Sequence, residues 1–184
     1  MIIGITGTLG AGKGTIVDYL VNNRGFKHYS VRGFLTAELE KMNHLVNRDT
    51  MTDLANTLRA ENTPSYIIEQ LYKQAEAAGG DSIIESIRAV GEVAALKEKP
   101  DFYLFAIDCD IKQRYSRIQK RMSSTDNVTF EAFEESEFRE MSSEDPNKQN
   151  LSKCISMSDY VFQNDGSIET LHNKIEKVLS SIKN

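Results

Sequence analysis

The first fifteen residues contain a run suited to holding phosphate: Gly7, Leu9, Gly10, Ala11, Gly12, Lys13, Gly14 and Thr15. Gly7 and Gly12 are separated by four residues, and Lys13 follows the second glycine directly. Glycines let a backbone curl until successive N–H groups point inward at phosphate oxygens. A helix opening at Lys13 adds the positive end of its dipole. The lysine then reaches the β- and γ-phosphates and follows the charge as it moves during transfer. The flanks support this reading. Residues 1–6 form a short, isoleucine-rich run that predicts a buried strand, and residues 13–23 carry helical apolar spacing.

The usual Mg²⁺-binding hydroxyl immediately after the lysine is displaced here by one position, because Gly14 precedes Thr15. This Gly-x-x-Gly-x-Gly-Lys-Gly-Thr order resembles the adenylate kinase branch of the P-loop nucleoside monophosphate kinases, with Leu9 where that branch has proline. The opening Ile-Ile-Gly-Ile-Thr-Gly-Thr is similar to the start of dephospho-coenzyme A kinases. So is the C-terminal segment 158–167, Ser-Asp-Tyr-Val-Phe-Gln-Asn-Asp-Gly-Ser. The resemblance implies ATP as donor, Mg²⁺ near Thr15, and Asn164 in a loop passing under the adenine.

An acceptor phosphate needs cations, and arginine binds phosphate oxygens in pairs. Arg88 follows a short apolar run in Glu-Ser-Ile-Arg, similar to the acceptor-gripping arginine of adenylate kinases. Arg32, in Tyr29-Ser30-Val31-Arg32-Gly33, lies in a segment resembling the family's acceptor loop, which makes Ser30 a further contact. Arg59 is a third cation on the acceptor side. Glu92 stands where the family has a base-reading glutamine, and Glu85 where it has a carboxylate beside the magnesium waters. Asp108 and Asp110 are alternatives for ordering the metal. Arg117 and Arg121, four residues apart on one helix face, resemble the donor-phosphate arginines at the lid entrance. Arg114 belongs to the same basic series. Arg139 reads equally as a lid arginine or as a partner of its acidic neighbours. Tyr29, Tyr66 and Tyr72 are candidates to flank the acceptor base, although aromatic residues on helices usually belong to the core.

The elements that must position these residues alternate. Strands are predicted at 28–31, 82–85, 102–108 and 160–162, in addition to the first. Helices are predicted at 34–42, 49–60, 64–78, 92–99, 112–121, 130–141 and 168–182, with Pro64 in a first helical turn. Such alternation means an α/β three-layer P-loop fold: about five parallel strands with helices on both faces and right-handed crossovers. Residues 1–184 read as one kinase domain, with 32–78 as a helical acceptor-binding insertion and 122–150 as a small lid.

The composition is ordinary for a globular protein: 184 residues, 40% hydrophobic and 27% charged. A net charge of −5 weakens nucleic-acid polymer or anionic-membrane binding, since no overall basic field exists. Cys109 and Cys154 fit thiols in a reducing compartment. With no signal peptide pattern and no long apolar run, the expected location is cytoplasmic. Oligomeric state is not legible. The leading expectation is an ATP- and Mg²⁺-dependent kinase of nucleoside or deoxynucleoside monophosphates, its partner a small nucleotide acceptor. Dephospho-coenzyme A kinase comes second, because the carboxylates that family carries near residues 30–32 are absent. A nucleotide-dependent switch or binding module comes third.

Overall fold

A computed structural model describes residues 1–121, 128–143 and 148–183. The chain runs β1 (Ile2–Gly7), α1 (Lys13–Arg24), β2 (Lys27–Ser30), α2 (Val31–Lys41), α3 (Arg48–Glu61), α4 (Tyr66–Ala78) and β3 (Ser82–Glu85). It continues through α5 (Val90–Lys97), β4 (Phe102–Asp108), α6 (Ile111–Arg121), α7 (Phe130–Met141), α8 (Leu151–Ser156), β5 (Tyr160–Gln163) and α9 (Ile168–Ile182). The five strands form one parallel sheet in the order β2-β3-β1-β4-β5.

β1 is central and every residue of it is buried, which explains its unbroken apolar character. One apolar cluster gathers Ile3, Ile5, Phe105 and Ile107 with α1 and α9 residues such as Leu20 and Ile175. A second gathers Ile84, Leu104, Ile68 and Leu71 with Val93 and Leu96 of α5. The sheet is thus covered on both faces. The strand order reverses beside β1, since the chain passes from β1 to β2 on one side and reaches β4 on the other. Ligands in open α/β sheets bind at such a point, beyond the carboxyl ends of the strands. Residues 7–13, 85–88 and 108–110 all lie there.

Several boundaries differ from the sequence expectation for identifiable reasons. α2 begins at Val31, because the Ser30 hydroxyl accepts the Gly33 N–H and caps it. Pro64 lies outside α4, in a turn closed by Tyr66 N–H donating to Thr63 O, and Ser65 is the N-cap. α5 starts two residues early, because the Glu92 carboxylate accepts from the Arg88 and Ala89 N–H groups at its beginning. α8, directly after the polar stretch 122–150, was not expected. It is capped by the Asn150 side chain and buries Leu151 and Cys154. Tyr72 is buried in the second core cluster, with Tyr29 packed against it, and Tyr66 packs on a third. The lid expectation at 122–150 falls partly on 122–127 and 144–147, outside the described residues. Among the described residues, no helix is long and apolar enough to cross a membrane.

Candidate functional site

The turn after β1 is shaped by residues that tolerate little substitution. Gly7 has φ +133°, and a Cβ there would run into the Ile107 carbonyl of β4. Gly12 caps α1 in the left-handed region at φ 103°, ψ 22°, and a Cβ there would collide with the Asn164 amide. Only glycine meets both demands. α1 has no side-chain cap and no acidic residue in its first turn. Its leading N–H groups therefore face an anion site without an internal competitor.

The loop's carbonyls are held from behind. Lys13 Nζ donates to Gly7 O and Thr8 O, both at 2.8 Å. Asn164 Nδ2 donates to Ala11 O at 2.7 Å, and Arg114 Nη1 donates to Leu9 O at 3.4 Å. Thr8 Oγ1 donates to Asp108 Oδ1 at 3.0 Å, tying the loop to the end of β4. Arg117 Nη2 donates to Asn164 O at 2.8 Å, with a longer contact from Nη1 to Ala11 O, so it bridges the loop and the segment after β5. Burial lowers the Lys13 pKa to about 8, with the nearby Arg88 charge acting in the same direction. A phosphate would supply the anionic partner that this lysine lacks among the described residues.

Beside the loop lies a cavity of about 700 Å³, within the range for small-molecule sites. Val31, Leu35, Met51 and Ala55 supply an apolar wall from α2 and α3. Among the described residues, five cations reach it, Arg32, Arg59, Arg88, Arg139 and Lys148, against the carboxylates of Glu92 and Glu140. Arg59 Nη2 pairs with Glu92 Oε1 at 3.3 Å, while its buried Nε has no hydrogen-bond partner among the described residues. Arg88 Nη1 contacts Glu140 Oε2 at 3.3 Å and Gln149 Oε1 at 3.2 Å. Ser86, at the turn from β3 towards Arg88, holds φ +77° and lines the cavity. A non-glycine residue in that region is unusual and tends to mark a functional turn.

Lys13, Arg88 and Glu85 converge at the junction of loop and cavity. The charges of Lys13 and Arg88 both act on Glu85. The Glu85 carboxyl is held below its usual range, first by a hydrogen bond from His28 Nε2 at 3.0 Å. Arg32, Arg59, Arg88 and Glu92 line the cavity. Glu92 is only 2% exposed, and both its oxygens are engaged within the protein, by Arg59 and by two backbone N–H groups. Ser30 is not a lining residue, and its hydroxyl caps α2. Arg121 is the exposed last residue of α6. Asp110 caps the start of α6 by accepting from the Lys112 and Gln113 N–H groups.

Two contacts escaped sequence reading, whereas a third residue, Arg139, was among its candidates. Arg114 is buried, donates from Nε to Cys109 O at 2.7 Å, and pairs with Glu137 of α7, its Nη2 lying 2.7 Å from Oε1. Glu140 reaches Arg88 across 52 residues of chain. Arg139 lines the cavity and forms no hydrogen bond or ion pair among the described residues. The only advance signal was the Glu137/Glu140 spacing, which puts both on one face of a helix.

A five-stranded parallel sheet in this order, with a glycine-rich phosphate loop after its central strand, defines the fold of the small P-loop kinases. The chain belongs to the family described as AAA domain, whose model matches residues 3–144. It is 23% identical over 181 residues to a protein of Staphylothermus marinus named UPF0200 protein, covering 98% of this chain and 92% of the relative. TT1252 from Thermus thermophilus has a similar structure, with a TM-score of 0.66 at 17% identity, covering 98% of this chain and 97% of the other. Shikimate kinase from Bacteroides thetaiotaomicron gives a TM-score of 0.60 at 11% identity, covering 98% of both chains. At these identities the structural likeness concerns the fold. A P-loop domain implies nucleotide binding.

Proposed function

We propose that this protein transfers the γ-phosphoryl group of ATP to a nucleoside or deoxynucleoside monophosphate. One observation carries the reading: among the described residues, the cavity beside the P-loop presents five cations against two carboxylates. Such an excess suits an acceptor that already bears phosphate, since the incoming anion must be drawn against the charge of ATP. Helices α2 to α4 are the acceptor-binding insertion, and α7 belongs to the lid-like segment.

In this mechanism the P-loop N–H groups and Lys13 hold the β- and γ-phosphates, and Arg88 draws the acceptor phosphate into line. Arg117 covers the donor side between the P-loop and Asn164. An anionic acceptor oxygen needs no general base. Among the described residues, no His, Cys, Asp and Glu cluster would by itself hold a metal ion. This fits Mg²⁺ carried mainly by phosphates and water. The Thr15 hydroxyl has no other hydrogen bond among the described residues, and Glu85 or Asp108 would orient the metal's waters. Bound there, Mg²⁺ would supply charge neutralisation to the ATP phosphates. A coupled ATP-consumption assay across the common NMPs and dNMPs tests the reading, and no turnover with any of them ends it.

One observation favours a second reading, a hydroxyl acceptor such as the ribose of dephospho-coenzyme A. Glu85, at the carboxyl end of β3, has its pKa lowered first by the His28 hydrogen bond, and so offers an ionised carboxylate to a hydroxyl acceptor. Turnover of dephospho-coenzyme A in the same assay, without NMP turnover, would select it.

A further inference from the structure

The P-loop and the cavity are joined by α7, which holds each through a carboxylate. Glu137 pairs with Arg114, the residue behind Leu9. One turn later Glu140 pairs with Arg88, the arginine best placed for an acceptor anion. Both Ser136 and Glu140 line the cavity and also a smaller gap of about 80 Å³ against Thr8 and Leu9.

The two ion pairs are not equal. Arg114 meets both oxygens of Glu137 and is buried, and its guanidinium lies 5.8 Å from the centroid of the buried Phe133 ring. Arg88 meets one oxygen of Glu140 through one nitrogen at 3.3 Å, and both side chains are partly exposed. Two-point arginine–carboxylate contacts are the stronger kind, and partly exposed single contacts are weak. A phosphate dianion brings more charge and three oxygens, so it outcompetes the lone Glu140 oxygen at Arg88 while leaving Glu137 in place. Its approach also sets it against the Glu140 charge, which favours departure of that carboxylate.

We propose that Glu140 is a built-in stand-in for the acceptor's phosphate: an anion arriving at Arg88 displaces it and frees the C-terminal turn of α7. The N-terminal part of α7 stays fastened by Phe133 and by Glu137 on Arg114. Acceptor occupancy is thereby communicated to the helix that also braces the back of the P-loop. Arg139, next along the helix and without a partner among the described residues, is the cation α7 offers once Glu140 has left. This regulation rests on the reading above only in treating the cavity as an anion site.

The test uses the full chain with its P-loop filled by ADP and Mg²⁺, and inorganic phosphate as the probe. In the wild type, saturating phosphate should raise amide hydrogen exchange at residues 138–141 and leave 131–135 unchanged. Glu140→Gln should bind phosphate about fivefold more tightly, and without phosphate its α7 exchange should already match the phosphate-bound wild type. Arg88→Ala should abolish the exchange response. Unchanged or weaker phosphate binding by Glu140→Gln overturns the proposal. So does wild-type α7 exchange that ignores phosphate, a measurement that needs no variant. If phosphate moves α7 yet no monophosphate is turned over, the phosphotransfer reading fails and this one stands.

Discussion

In the P-loop, Lys13 bonds two carbonyls five and six residues away, whereas each partnered cavity arginine relies on a carboxylate far along the chain. Arg59 depends on Glu92, 33 residues distant, and Arg88 on Glu140, 52 residues distant. One region is a stretch of contiguous backbone whose conformation follows from its own glycines. The other is assembled from α2, α3, the β3–α5 turn and α7, and its cations are aimed by ion pairs between elements. The loop therefore offers a nucleotide's phosphates backbone N–H groups and one charge. The cavity's charge arrangement, by contrast, depends on single carboxylates brought in by other elements.

This contrast is most strongly tested at Lys13. Lys13→Ala should lower kcat/KM for ATP by at least about a hundredfold, with thermal unfolding nearly unchanged, because its partners are turn carbonyls that water can satisfy. A large fall in melting temperature would mean that the lysine also builds the loop.

Next comes Glu92, where packing and site cannot be separated. Glu92→Ala leaves two backbone N–H groups and Arg59 without their acceptor, and should cost about 3 kcal/mol by urea unfolding. Acceptor KM should rise while KM for ATP holds. Equal effects on both substrates would show that the two regions are less independent than their contacts imply.

Asn164→Ala should cost about 1–2 kcal/mol and raise KM for ATP alone, through loss of the bond to Ala11 O. Titration of Lys13 gives the smallest effect. Burial holds the Lys13 pKa at about 8, and bound phosphates raise it, because they favour the charged form. ATP affinity should thus be full at lower pH and weaken severalfold as pH rises through about 8. Calorimetry in buffers of different ionisation enthalpy should detect proton uptake on binding above that value. A pH-independent affinity would remove Lys13 from the list of groups titrating on binding.

Much of the architecture was legible beforehand. The five strands and most helices announced themselves through period and punctuation, and they fell within a few residues of expectation. The misplacements concern caps. Ser30 and Glu92 draw helix starts backwards, and Pro64 sits in a turn rather than a helix, choices made by individual hydrogen bonds that hydropathy does not register. α8 is only six residues long, too short for periodicity to reveal. On the acceptor side, the sequence pointed to Arg32, Arg59 and Arg88, which do line one cavity. It could not reveal that Ser30 and Glu92 would be engaged within the protein.

By itself, then, the sequence determined the phosphate loop and the alternation that makes a parallel sheet. Both arise from residues close along the chain: left-handed glycines, a following lysine, and apolar runs of strand and helix period. The tertiary structure decided which distant carboxylate meets which arginine, that Arg114 braces the loop from within the core, and that Asn164 grips Ala11. Those pairings depend on where the crossovers return the chain, and local composition carries no record of a neighbour fifty or a hundred and fifty residues away.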